Sequence, residues 1–499
     1  MEEQVARFIS TEQKLPLPPP PGEFGWPARV RRSLFATPVD TLLTLLAGAL
    51  IVYVVSKLLE WGVFNATFVG ADRTACLPAD GGHSGACWAF VSAKFELFMY
   101  GIYPDAERWR IDLLLIGLVV LVAGMAIPSI PFKRLNAILL LGVYPFVALV
   151  LLTGGRFEMD GGGVAFVMAV AAAATLYLAT GRSEFHWGDP LLKGAAGLLV
   201  ASLLALLLAA VVSFDRVLFL NLRFTSVSIA AFLLALGSVA VTAVAAFRHS
   251  ETKGRAATLL IPFAAIVAVL VFVTADLGLT PVRTNSWGGL LLTLVVAISG
   301  IVASLPLGIL LALGRRSEMP IVKLFCVAFI EFWRGIPLIT VLFMANFMLP
   351  LFLPAGVNFD QLLRVLVGVS LFSAAYMAEV VRGGLQAIPK GQYEGADAMA
   401  LTYWQKMRMV ILPQALKLVI PGIVNTFIGL FKDTSLVAAV GLADFLGQVR
   451  RGFSDPGWST EQTPATGLVF AAFVYWLFCF SMSRYSVYME RRLDTGHKR

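Results

Sequence analysis

The sequence predicts an all-α fold, a polytopic membrane bundle of about twelve spanning helices, and three features of the chain predict it. Of 499 residues 58% are hydrophobic and only 14% charged, and the mean hydropathy is +0.80. The apolar residues are gathered into runs of roughly 20, the length that crosses a hydrocarbon core as a helix. Those runs are continuous rather than alternating, which selects helices over a closed barrel, the other structure that satisfies its own backbone in lipid.

In order, the expected spans are residues 40–61, 111–131, 136–154, 164–181, 193–213, 225–246, 257–275, 287–314, 321–353, 361–382, 410–432 and 466–488. The run 321–353 is long and is interrupted by Arg334 and Pro337, so it reads either as one kinked helix or as a surface helix followed by a span. Before the first span, residues 1–39 carry Leu15–Gly22 (LPLPPPPG) and then Arg29, Arg31 and Arg32, a stiff solvated tail ending in a basic flank. No short apolar core follows the first basic residues, so a cleavable signal peptide is not expected.

The net charge of +8 does not point to nucleic acid, because the basic residues sit beside the apolar runs, where the positive-inside rule accounts for them. Arg29, Arg31, Arg32, Lys133, Arg134, Arg248, Lys253, Arg255, Arg315, Arg316, Arg491, Arg492, Lys498 and Arg499 fall on one side for an even number of spans. Both termini are then cytoplasmic. Arg216, Arg223, Arg450 and Arg451 land on the other side and count against this orientation.

Cys76 and Cys87 lie in the hydrophilic loop 62–110, on the side facing an oxidising compartment, where a disulfide and two free thiols are both compatible with the sequence. Cys326 and Cys479 sit inside apolar runs as small core residues. The four cysteines and four histidines (83, 186, 249 and 497) have no metal-ligand spacing, so no metal site is expected.

Residues 155–280 are rich in Ala, Leu and Val, whereas residues 287–490 place Glu331, Arg334, Glu379, Arg382, Lys432 and Asp433 in or beside spans. A charge in a span costs at least a few kcal/mol, so function is expected in the second block and the first reads as lipid-facing or peripheral. Glu379 and Arg382, one helical turn apart, suit an internal ion pair. Arg334 suits an interface anchor or the lining of a pathway. Lys432, Asp433 and Thr434 present both charges to an amino acid's carboxylate and ammonium, or simply pair within the protein.

The segment 382–410 is the polar interruption of this block. Pro389 suits a first helical turn, Glu394 an N-terminal turn, and Ala396, Ala398 and Ala400 keep a short helix small enough to seat in a partner's groove. An ordinary interfacial helix is the competing reading. The pattern of Glu394, Gly395, Ala396 and Ala400 followed by Ile411, Leu412 and Pro413 resembles the EAA loop of ABC-transporter permeases, with Gly395 in place of an alanine and Ala400 in place of a glycine. The segments Ile330–Ile339 (IEFWRGIPLI), Ala374–Gln392, Leu430–Val437 (LFKDTSLV) and Trp287–Leu294 resemble polar amino-acid permeases, most closely the M-type permease of general L-amino-acid importers. Ile336 stands where that family usually has threonine.

The resemblance implies a type I (MetI-like) core at 284–499 with a coupling loop at 389–413, set in a bacterial inner membrane, with 62–110 as a periplasmic loop. It implies a dimer of ABC ATPase subunits, a second homologous permease, a periplasmic amino-acid-binding protein and an L-amino-acid substrate. The chain has no GxxxxGK[ST] segment, so no cofactor is expected on it and ATP is expected to be used by the partner. Residues 155–280 depart from the shorter permeases and read as four added spans. An ion-coupled secondary amino-acid transporter is the alternative, although such folds usually show internal repeats and none is visible.

Overall fold

The computed structural model describes residues 26–77, 85–127, 129–155, 161–180, 189–212, 216–219, 222–249, 260–352 and 360–493. The proline segment 15–22, His83, His186, Lys253, Arg255 and the ending 496–499 lie outside them. The chain forms two compact units: Met1–Ala93 with Phe453–Gly467, and Lys94–Gly452 with Leu468–Arg499.

The first unit holds α1 (Pro38–Leu59). Thr37 caps it by accepting the Asp40 N–H, and Pro38 occupies the first turn, where its missing N–H costs nothing. No residue of α1 is buried. Beyond it, Cys76 and Cys87 are joined by a disulfide, which resolves the alternative left open by the sequence. This loop is tied to the first turns of the helix Gln462–Leu493 and to the stretch just before it. Trp61 Nε1 donates to Gln462 Oε1 at 2.8 Å, the Cys87 N–H to Thr466 Oγ1 at 2.9 Å, and the Arg73 N–H to the Gly457 carbonyl at 2.8 Å.

In the second unit, α2 (Trp109–Ala126) and α3 (Lys133–Thr153) form a hairpin. Lys133 Nζ donates to the Gly124, Met125 and Ile127 carbonyls, satisfying acceptors that the end of α2 leaves free. Four helices follow: α4 (Gly161–Thr180), α5 (Pro190–Val211), α6 (Ser226–His249) and α7 (Ile261–Thr274). Buried alanines, among them Ala169, Ala172, Ala195, Ala235 and Ala246, let them approach closely, and the Ser202 and Ser238 hydroxyls donate across helices to the Ala231 and Ala195 carbonyls. This block therefore has its own core. It also carries an antiparallel hairpin of β1 (Arg216–Phe219) and β2 (Leu222–Thr225), a small departure from the all-α expectation.

Arg110 joins this block to α2. It is 1% exposed, pairs with Glu107 at 2.5 Å, and donates to the Thr280 carbonyl at 2.9 Å and the Thr280 hydroxyl at 3.0 Å. Further along the chain lie α8 (Gly289–Arg315), α9 (Pro320–Gly335), α10 (Leu338–Phe343), α11 (Gln361–Ala387), α12 (Lys390–Ala398), α13 (Ile420–Asp433), α14 (Phe445–Gly452) and α15 (Gln462–Leu493), among shorter helical turns.

Among the described residues ten helices are long and apolar enough to cross a membrane, or eleven if the bent pair 320–351 is one span, against the twelve expected. Of the expected run 257–275 the described residues begin at Leu260, and there the 14 residues of α7 reach about 21 Å at 1.5 Å per residue. The run 321–353 is two helices meeting at 106°, not one kinked helix. Ile336 is extended, as a residue before proline must tend to be, and Pro337 starts the next helix. The run expected at 410–432 is shifted as well, since a π turn at Met407–Ile411 and a break at Val419 delay the span to Ile420–Val440.

Candidate functional site

α8 and α11 carry the site, and glycine sets their distance. A Cβ at Gly308 would stand 2.7 Å from the Met377 side chain, and one at Gly384 2.6 Å from the Ala415 carbonyl, so larger residues would push apart α8, α11 and the segment Leu412–Leu418. α11 ends where Ile388 is extended before Pro389, which cannot continue the helix, and α12 starts immediately afterwards.

The segment from α12 to Pro413 is a braced knob. Asp397 pairs with Lys406 at 2.5 Å, Gln414 Nε2 donates to Gln392 Oε1 at 3.0 Å, and Thr402 and Gln405 form a reciprocal capping box on Tyr403–Lys406. Met407, Ile411 and Ala415 anchor it in a core with Met377, Ala378, Val381, Leu385 and Ile388. Glu394, Gly395 and Ala398 are exposed, and a Cβ at Gly395 would meet nothing within 4 Å. Ala400 and Pro413 are also exposed, Leu412 is half-buried, and Met399 and Trp404 are 75% and 65% exposed. Ala396 corrects the sequence reading: it is 5% exposed and faces its own chain, so its smallness serves the knob's seating and not a partner's groove.

The chain reverses at Ala400, with φ of 55°, in the left-handed region that glycine adopts freely. The bend expected of the family's glycine is therefore made by an alanine. An L-residue pays about 1–2 kcal/mol there, partly offset by the lower unfolded entropy of alanine. Ala400→Gly is expected to leave transport intact and to stabilise the protein by about 1 kcal/mol, read as a raised thermal midpoint in detergent.

Beside the knob lies a charged cluster. Arg382 Nε and Nη2 reach Glu379 Oε2 at 3.0 and 2.7 Å, the ion pair the sequence suggested. Three further groups join it: Arg315 at 2.7 Å from Glu379 and 3.0 Å from Glu331, and Arg334 at 3.6 Å from Glu379. Arg334 also stands over the Tyr376 ring at 5.9 Å.

Lys432, Asp433 and Thr434 do not form the expected constellation. Lys432 is exposed, Asp433 half-buried, and they make no ion pair with each other among the described contacts. Thr434 is buried with its hydroxyl donated to the Phe431 carbonyl at 2.7 Å, which removes it from the candidate substrate groups.

Asp444 was not singled out by the sequence. It is buried and accepts from the Leu446 and Gly447 N–H groups at 3.2 and 3.0 Å and from the Tyr475 hydroxyl at 3.1 Å. Burial pushes its carboxyl up, against the pull of these hydrogen bonds. The visible signal is an acidic residue directly before the amphipathic stretch of α14, an N-cap pattern.

The sequence model of the family described as "Binding-protein-dependent transport system inner membrane component" matches residues 304–495. The inner membrane amino-acid ABC transporter permease protein YhdY of Escherichia coli K12 is 40% identical over 468 residues, 94% of this chain and 93% of that protein. The glutamate/glutamine/aspartate/asparagine transport system permease protein BztC of Rhodobacter capsulatus is 39% identical over 496 residues, covering 98% and 99%. The glutamate/aspartate import permease GltK of Escherichia coli O157:H7 is 36% identical over 209 residues, 41% of this chain and 91% of that protein. A crystal structure of an amino acid ABC transporter with histidines aligns at a TM-score of 0.36 and 29% identity, over 41% of this chain and 92% of its own. The two long alignments include most of residues 155–280, so that block is shared with full-length relatives and is not peculiar to this sequence. A multi-pass apolar chain with this likeness from end to end belongs to the amino-acid ABC transporter permeases.

Proposed function

We propose that this chain is the M-type permease of a general L-amino-acid importer, and that the knob at 389–413 converts an ATPase stroke into alternating access of a type I, MetI-like core. The observation that carries the reading is the outward presentation of Glu394, Gly395 and Ala398 on a helix braced from behind by Ala396, Met407 and Ile411. A rigid, small-featured tip transmits force to the helices it is rooted in. Exposed Met399 and Trp404 add the apolar anchors that a protein interface favours.

The partners proposed are two ATPase subunits at the knob, a second homologous permease beside the core, and a periplasmic amino-acid-binding protein. ATP is bound by the ATPase subunits, and this chain contributes no phosphate-binding segment of the P-loop type. Both termini are cytoplasmic and the Cys76–Cys87 loop periplasmic, a sidedness supported by the disulfide itself. The relatives' names mention acidic and amide amino acids, which supports a polar L-amino acid as substrate. Lys432, Asp433 and Arg334 remain candidate contacts along its route.

Sealed vesicles holding the complete transporter test this. Uptake of a radiolabelled L-amino-acid mixture is expected to need internal ATP and to survive an uncoupler. Uptake that stops with the uncoupler while ATP persists would instead favour an ion-coupled carrier.

A further inference from the structure

We propose that Glu379 is a positioning residue for transport, the shared node through which movement of α12 reaches the break between α9 and α10. The inference rests on the coupling role proposed for the knob. It is drawn from a continuous set of contacts that begins on α12 and ends on α9.

Arg315 and Arg316 are neighbours at the end of α8 and reach in different directions. Arg316 Nη1 donates to the Leu385 carbonyl of α11 at 2.9 Å and to the Tyr393 hydroxyl of α12 at 3.0 Å, with the guanidinium over the Tyr393 ring at 5.5 Å. Tyr393 in turn donates to the Leu385 carbonyl at 3.2 Å. Arg316 thus brackets the joint between α11 and α12. Arg315 reaches Glu379 on α11 and Glu331 on α9 with separate nitrogens.

The second oxygen of Glu379 takes Arg382 of its own helix and faces Arg334 of α9. One carboxylate, 16% exposed at its side chain, therefore serves three guanidiniums from three helices. Arg315 forks between two helices, one nitrogen on Glu379 of α11 and the other on Glu331 of α9, and charge-assisted contacts of this kind fix direction as well as distance, so the helices they join are coupled in their movement. Glu331 and Arg334 stand on the last turns of α9, directly before Gly335–Pro337, where the path turns by 106°. A Cβ at Gly335 would meet nothing within 4 Å, so the glycine side of that corner is open, while Trp333, Ile336 and Leu338 on either side of it pack against the core. A push on α12 is carried through Tyr393 to the end of α8, and through Glu379 to the bent pair of α9 and α10.

A role in stability alone would predict something else. Glu379→Gln keeps the size and an acceptor oxygen but removes the charge that three arginines share. In the reconstituted complete transporter, the variant is expected to capture the ATPase and keep its basal hydrolysis, while amino acid moved per ATP falls at least about tenfold, within the range of ordinary coupling factors. Glu379→Asp should recover part of that ratio. If Glu379→Gln does not insert stably, Tyr393→Phe keeps the ring over Arg316, removes the hydroxyl, and should lower the same ratio severalfold. A wild-type ratio in either stable variant, including one with a merely lowered thermal midpoint, overturns the proposal. Failure of the wild-type chain to capture the ATPase would sink the coupling-loop reading instead, so the two failures are distinguishable.

Discussion

Glu394→Arg combined with Gly395→Trp is expected to abolish ATP-driven uptake and to stop the chain from retaining ATPase subunits through purification, while membrane insertion and thermal midpoint stay at wild-type values. Both positions are exposed and neither packs against the chain's own core, so the substitutions cost the fold little. Their effect falls on the partner. A reversed charge and an indole placed at a close-fitting tip remove a central contact worth about 2–4 kcal/mol, roughly 30- to 1,000-fold in affinity. Ala396→Trp is the informative contrast. Ala396 is buried beneath the same helix, so its enlargement should displace the knob and lower the thermal midpoint, which Glu394 and Gly395 changes should not. Retained ATPase and normal uptake in the Glu394/Gly395 variant would remove the loop from the coupling path.

Arg110→Ala is expected to be the most damaging single change to the fold. It leaves Glu107 as a half-buried carboxylate without its cation, leaves the Thr280 carbonyl without its donor, and opens a cavity where a nearly inaccessible side chain stood. Breaking one side of a buried ion pair costs about 3–5 kcal/mol. The loss should appear as poor yield and a thermal midpoint lowered by several degrees. Arg110→Met with Glu107→Gln should recover much of it, because an uncharged pair owes no ion desolvation. If the single and double variants unfold alike, the packing of the long side chain and not its charge holds Thr280 in place.

How far the sequence could be read differs by kind of feature. Helices were found over all twelve expected runs, because lipid imposes a length and an apolarity that each segment shows by itself. What the sequence left open or misplaced lies where the backbone turns: the corner before Pro337, which it gave only as one of two readings, and the start of the span after the π turn at Met407–Ile411. The knob was legible from the spacing of Glu394, Ala400 and Pro413, but not the inward face of Ala396, since a nine-residue helix has a buried side only once something is packed against it. Lys432 and Asp433 are adjacent in sequence and do not pair, while Arg316 and Tyr393, 77 positions apart, do.

By itself the sequence determined a multi-span helical membrane protein, the position of its polar loop, and through the motifs around that loop a permease resemblance that end-to-end relatives share. Tertiary structure alone decided the Cys76–Cys87 bond, the three-arginine node at Glu379 and the tie from Arg110 to Thr280 across 170 positions. The physical reason is range. Hydropathy, proline and caps act within a turn or two of the residue that carries them, whereas a charge or thiol takes its partner from whichever helix the packing of the whole bundle brings near.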